Sequence, residues 1–180
     1  MSLGFWKKAS SRRQRIITII VFFLIGIIAT SIGTLSPMSK QEADQINQQI
    51  SDVRDNISVQ YIFGNNLLIC LIMFIPVVGP IFGFYALYNT GAAVEAQIMA
   101  SSTTGISPLL VFFALFLFPF TWLEFISYST AFAESVWLIR RSMQGLVRKE
   151  IKNAAVLIAI VTILLLIGAI IETALIQALI

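Results

Sequence analysis

The stretch from residue 55 to residue 139 contains no Lys or Arg, and most of its residues are apolar. Across the whole chain, 58% of the residues are hydrophobic and 12% are charged, a composition that excludes an ordinary soluble domain. We therefore expect residues 1–180 to form a single all-α domain, a polytopic helical bundle embedded in the cell membrane.

Two clusters hold most of the 12 basic residues, and each flanks apolar sequence. Their members are Lys7, Lys8, Arg12, Arg13 and Arg15, then Arg140, Arg141, Arg148, Lys149 and Lys152. Because basic flanks remain inside, residues 1–15 are predicted to form a cytoplasmic foot and residues 140–152 a cytoplasmic loop. This pattern indicates attraction to anionic lipid headgroups rather than binding to nucleic acid.

The apolar runs between and beyond these clusters predict about five transmembrane crossings. They are placed at Ile16–Leu35, 62–78, 81–100, 107–139 and 154–177. The amino terminus is then cytoplasmic and the carboxyl terminus external. Pro76 and Pro80 are expected to form a turn or a sharp break, and Pro119 to interrupt the long fourth crossing, because proline removes a backbone donor.

Residues 36–60 are polar and predict an external amphipathic helix capped by Ser36 or Ser39. Its apolar residues recur at helical spacing and form one narrow stripe: Ile46, Ile50, Val53 and Ile57. The stripe either lies against the membrane surface or its own bundle, or it is a docking face for another protein.

Polar residues persist inside the predicted crossings, where each is costly unless it faces a protein interior, a cavity or a partner. They are Asn65, Asn66, Asn89, Glu95, Glu124 and Glu172. Together they form either an interhelical hydrogen-bond cluster or a pathway for protons or cations. Glu134 has a different expected place, at the cytoplasmic interface beside basic neighbours.

Catalysis is not expected. The chain has no His, which removes the usual base for a serine or cysteine nucleophile and the commonest metal ligand. The single cysteine, Cys70, lies in an apolar run and is expected to be a buried small hydrophobe. We predict no catalytic residues, no metal site and no cofactor.

Four short segments resemble the stage II sporulation protein M family in order and spacing. They are Ile62-Phe63-Gly64-Asn65-Asn66-Leu67, Asn89 followed by Gly91, Pro119 followed by Glu124, and Gly168-Ala169-Ile170-Ile171-Glu172. The resemblance covers about residues 16–178 and implies a five-span membrane protein. In spore formers, the family member is a non-enzymatic component that anchors peptidoglycan-degrading enzymes, whereas relatives in other lineages have no defined role.

The chain departs from the family pattern at the Pro-His-Gly-x-x-Glu motif, where Phe120 and Thr121 replace the His and Gly. A proton relay through that His is therefore impossible here. Taken together, these features predict a non-catalytic membrane scaffold or accessory subunit with other membrane proteins as partners. The alternative is a small transporter or channel that uses the intramembrane carboxylates.

Overall fold

The computed structural model describes residues 11–54, 58–101 and 105–179, apart from the side chains at 52–54, 149 and 179. Within these ranges every regular element is an α-helix, which confirms the predicted all-α class. In chain order the helices are α1 (Ser11–Thr34), α2 (Lys40–Arg54), α3 (Val59–Met73), α4 (Val78–Ala100), α5 (Pro108–Leu115), α6 (Pro119–Ser142) and α7 (Val147–Leu179).

The helices fit a membrane protein, but their lengths do not clearly give five spans. Among the described residues, α1 and the segment Glu150–Ala178 of α7 are long and apolar enough to cross a bilayer. The bent pair α5–α6 adds a third if the pair forms one span. Helix α3 is apolar but has 15 residues, fewer than the roughly 20 that a straight crossing needs. Helix α4, at the predicted crossing 81–100, has 23 residues but is not apolar enough to count as a candidate span. Helix α3 ends at Met73, before the predicted end of its crossing at residue 78, and the predicted crossing 107–139 is broken at Pro119.

Pro119 interrupts the long apolar run as predicted, and α5 and α6 meet at an angle of 89°. Two side chains from the first turn of α6 bind carbonyl groups at the end of α5. The Thr121 hydroxyl donates to the Leu115 carbonyl at 2.8 Å, and the Trp122 indole N–H donates to the Phe116 carbonyl at 2.7 Å. The break is therefore stable in a bilayer, because carbonyls that the helix leaves free find donors nearby.

The second predicted break lies between α3 and α4. Val77 has a φ of 70°, an unusual left-handed value for a β-branched residue, and α4 begins at the next position. Gly79 lies so close to the Met73 carbonyl that a Cβ atom would collide with it. The two helices thus reverse direction in a short, tightly packed turn.

Helix α6 lies at the centre of the bundle and packs against α1, α3, α4 and α7. Its buried hydroxyl groups donate to carbonyls one turn earlier in the same helix: Ser127 to Leu123, Ser129 to Phe125 and Thr130 to Ile126. Ser135 instead donates to the Ile75 carbonyl at 3.0 Å, beside the turn that joins α3 and α4. Because these hydroxyls are satisfied, a helix rich in Ser and Thr can occupy an apolar core. Cys70 is also buried there, as expected.

Helices α1 and α4 cross with their backbones in contact. A Cβ atom on Gly33 would collide with the Tyr88 carbonyl, and one on Gly91 would collide with the Thr30 carbonyl. Small residues at such a crossing allow the close packing that holds membrane helices together, since no hydrophobic force acts between helices in lipid. The orientation of α4, and of everything packed on it, follows from this crossing.

The predicted amphipathic helix is α2, and a capping box starts it. The backbone N–H of Ser39 donates to a Glu42 carboxylate oxygen at 2.7 Å, and the Glu42 N–H donates to the Ser39 hydroxyl at 3.2 Å. The Ser39 hydroxyl also donates to that carboxylate oxygen, at 2.8 Å. The backbone hydrogen bond to the carboxylate, and then the hydroxyl bond, hold the pKa of Glu42 below its usual value. The Asn47 amide donates to the Ala96 carbonyl at 2.7 Å, which fixes α2 on α4.

The α1–α4 crossing gives a direct test of the fold. We expect Gly91→Ala to lower stability by about 1–3 kcal/mol, because the added methyl group forces two backbones apart. Gly64→Ala is the matched control, since nothing lies within 4 Å of a Cβ atom at Gly64. Thermal unfolding in detergent, followed by size-exclusion chromatography, should show a lower midpoint for Gly91→Ala alone. Equal midpoints for both variants would contradict the crossing.

Candidate functional site: a carboxyl pair and an amide-lined groove

Three helices bring Asn66, Glu124 and Glu172 together inside the bundle. The Asn66 amide on α3 donates to a Glu124 carboxyl oxygen on α6 at 2.6 Å. The carboxyl group of Glu172 on α7 is near enough to interact electrostatically with that of Glu124. Two neighbouring carboxyl groups repel each other when both are ionised, unless a proton or a cation lies between them. The arrangement can therefore hold a proton, or a small cation between two carboxylates.

A cavity of about 250 Å³ adjoins the carboxyl group of Glu124. Its polar lining comes from Asn65, Asn66, Thr90, Glu124 and Tyr128, and the remaining walls are apolar. That volume exceeds what a single water molecule needs, and the polar groups supply hydrogen-bonding partners for water. The carboxyl pair thus lies beside a space that water or a small ion can enter.

A second cavity, of about 540 Å³, opens between α2, α3 and α4; we call it the amide groove. Its lining comprises Ile46, Gln49, Ile50, Tyr61, Asn65, Tyr85, Asn89, Ala92 and Ala93. Two of the predicted polar residues and two residues of the predicted docking stripe therefore share one surface. Ile46 and Ile50, both half-buried, line this groove on α2, which packs on α4. The side chain of Val53 and all of Ile57 lie outside the described residues.

The six predicted polar residues thus do not form one cluster. Asn66, Glu124 and Glu172 meet inside the bundle, whereas Asn89 lines the amide groove and Asn65 lines both cavities. Glu95 is half-buried on α4 and lines neither of these cavities. Sequence periodicity does not distinguish these locations, because it gives residue spacing along one helix but not which neighbour each face meets.

Sequence reasoning missed a network at the basic end of the bundle. The Arg15 guanidinium on α1 forms ion pairs with Glu134 on α6, at 2.5 Å, and with Glu150 on α7. The Glu134 and Glu150 side chains are only 1% and 3% exposed. The expected basic neighbour of Glu134 is present, but it comes from the first helix, and no sequence spacing identifies it.

Trp137 on α6 completes this network. The guanidinium groups of Arg15, Arg140 and Arg141 lie 4.9, 4.9 and 5.3 Å from its ring, distances at which a cation is attracted to an aromatic face. Arg141 also approaches Glu150 at 3.7 Å. These contacts fix the ends of α1, α6 and α7 relative to one another, and we assign them a structural role.

Replacement of Arg15 should lower the free energy of unfolding, because its buried acidic partners would lose their cation. We expect Arg15→Gln to destabilise the protein by about 3–5 kcal/mol, because Glu134 would remain buried without its cation. The double variant Arg15→Gln with Glu134→Gln should recover part of that loss, since the buried charge is then gone. Unfolding midpoints of the single and double variants in detergent would decide this. A double variant less stable than Arg15→Gln would contradict the assignment.

Comparisons with known proteins place the chain in a family without giving it a function. No curated protein and no solved structure matches it significantly. A family profile described as Stage II sporulation protein M matches residues 16–175. That range includes the carboxyl pair, the amide groove and the two buried acids Glu134 and Glu150, whereas their partner Arg15 lies just before it. The match confirms the resemblance carried by the sequence motifs, and the chain belongs to the stage II sporulation protein M family.

Proposed function

We propose that this protein is a non-catalytic integral membrane scaffold or accessory subunit of a larger membrane complex. The observation that supports the proposal is the amide groove, where the Asn89 amide makes no hydrogen bond within the described residues. Its partner would be another membrane protein that inserts a transmembrane helix bearing a hydrogen-bonding side chain.

Asn89 is the clearest unsatisfied group. It lies at the middle of α4, its side chain is exposed, and it makes no hydrogen bond with any other residue in the described ranges. Asn65 makes only a long bond of 3.5 Å, to its neighbour Asn66. In the topology that we propose, α4 crosses the membrane, where an amide without a partner would cost about 1–3 kcal/mol and polar groups of adjacent helices would be its usual partners.

The walls of the groove suit a helix. Ala92 and Ala93 have small side chains that permit close approach, whereas Ile46 and Ile50 of α2 supply apolar contact at one side. The predicted docking stripe and the unsatisfied amides would therefore meet the same partner. Val53 and Ile57 continue that stripe in the sequence.

The topology that we propose places the basic end in the cytoplasm and retains five crossings. The support is geometric: Arg15 pairs with Glu150, and Arg141 donates to the Ser11 hydroxyl at 3.3 Å. The start of α1 and the α6–α7 loop therefore lie at the same end. An even number of crossings therefore separates the start of α1 from the α6–α7 loop. The basic residues indicate that this end is cytoplasmic, so α7 would carry the carboxyl terminus to the external side.

The scaffold proposal predicts loss of a partner from one substitution. Asn89→Leu keeps the side-chain size but removes the amide, so partner recovery in mild detergent should fall severalfold while membrane insertion is unchanged. The measurement is affinity purification from native membranes with quantitative mass spectrometry of co-purifying proteins.

Thr90→Val is the matched control for this experiment. Thr90 is the next residue on the same helix and is also exposed, but its hydroxyl donates to the Ala86 carbonyl of its own helix at 3.1 Å. Partner recovery should therefore be normal in Thr90→Val. Equal recovery from wild type, Asn89→Leu and Thr90→Val would contradict a docking role for the groove.

The carboxyl pair supports a second candidate function, a proton- or cation-dependent transporter or channel. Glu124 and Glu172 share a site beside the water-sized cavity, and Asn65 lines both this cavity and the outer groove. Broken helices next to buried acids are typical of transport sites in membranes. The break at Pro119 lies about one turn from Glu124.

Transport would depend on the Glu124 carboxyl group. In proteoliposomes that contain a pH-sensitive dye, Glu124→Gln should abolish ion or proton flux, since the amide cannot exchange a proton. Glu42→Gln removes the same charge from an exposed acid on α2 and should leave the flux intact. No wild-type flux under either a proton or a sodium gradient would rule out this candidate and leave the scaffold.

A further inference from the structure

A cleft lies between α1 and α7 at the basic end of the bundle. Both helices pack on α6 but make few backbone contacts with each other along their lengths in the described part of the chain. The Arg15–Glu150 ion pair joins them at the end of the cleft. Below it is an open cavity of about 350 Å³, lined by Arg12, Arg15, Asn153, Val156 and Leu157.

The head of the cleft carries an arginine whose charge no acid in the described ranges neutralises. Arg15 is paired with Glu134 and Glu150, but Arg12 is exposed and contacts no acidic group among the described residues. Asn153 lies opposite and is also exposed, with an amide that can donate hydrogen bonds. A guanidinium beside an amide donor is well suited to a phosphate oxygen.

The rest of the cleft is apolar and open to the side. On α7 the Val156 and Ile160 side chains are 59% and 47% exposed, and on α1 the Ile16 side chain is 50% exposed. A neighbouring cavity of about 280 Å³ shares Arg12, Arg15 and Leu157 and extends inward to the face of α6. The arginine side chains thus lie at one end of an apolar groove that runs along α1 and α7.

We propose that this cleft binds one anionic phospholipid, with its phosphate at Arg12 and Asn153 and an acyl chain along Val156 and Leu157. Charge complementarity selects the headgroup, because basic residues outnumber acids at this end. The apolar groove beyond them selects a lipid over a soluble phosphate ester. Basic pockets between membrane helices are known to hold anionic headgroups. The site is separate from the amide groove and does not depend on the scaffold proposal.

Native mass spectrometry of delipidated protein, titrated with phosphatidylglycerol or with phosphatidylcholine of the same acyl chains, tests the proposal. Phosphatidylglycerol should bind with one saturable site and the zwitterionic lipid should bind more weakly. Arg12→Gln should weaken phosphatidylglycerol binding about fivefold. Arg148→Gln is the matched control, because it removes the same charge from an exposed residue outside the cleft and should leave binding unchanged.

Val156→Trp examines the apolar part of the cleft without any change of charge. It should fill the acyl groove and reduce phosphatidylglycerol binding while Arg12 remains. The position is exposed, so folding does not depend on its size. Equal binding losses for Arg12→Gln and Arg148→Gln, normal binding by Val156→Trp, or displacement of the lipid by glycerol phosphate would each overturn the proposal.

Discussion

The Arg15 guanidinium is the contact on which the arrangement of the helices depends most directly. It joins α1, α6 and α7 through two acids that are almost entirely buried. In this setting the pairing is obligatory, because a buried carboxylate without its cation is strongly destabilising. Once α1 is fixed against α6, the glycine crossing of Gly33 and Gly91 fixes α4 against α1. Helix α4 in turn carries α2, and together they form the walls of the amide groove.

Some polar side chains in this bundle form hydrogen bonds within their own helix, whereas others lack a partner among the described residues. We assign a structural role to the first kind and propose a binding role for the second. The hydroxyl groups of Ser127 and Ser129 bind carbonyls of their own helix, so they need nothing from a neighbour. Asn89 differs: its side chain makes no hydrogen bond within the described residues, although Gln49, Asn65 and Tyr85 line the same groove. In a bilayer an amide without a partner costs free energy, because lipid cannot form the hydrogen bonds that water would.

Local signals predicted a large part of the fold. Charge clusters and apolar length identified α1 and α7, Pro119 identified the position of the 89° break, and Ser39 was one of two predicted caps for the start of α2. Long-range pairing was beyond those signals, because Arg15 and Glu134 lie on the first and sixth helices. The site was predicted in part: Asn66, Glu124 and Glu172 meet as one hypothesis required, but the other polar residues do not join them. The five-span count remains a proposal, since charge gives only the parity of the crossings.

Asn65 connects the two candidate functions physically, because it lines both the amide groove and the cavity beside Glu124. A helix bound in the groove would cover Asn65 and limit access of water to the carboxyl pair. A partner that excludes water would lower the local dielectric constant and so strengthen the repulsion between the Glu124 and Glu172 carboxylates. Partner binding and protonation of the pair would therefore be linked. If both proposals hold, ion flux would belong to the free protein, and a stable complex would favour a structural role for the acids.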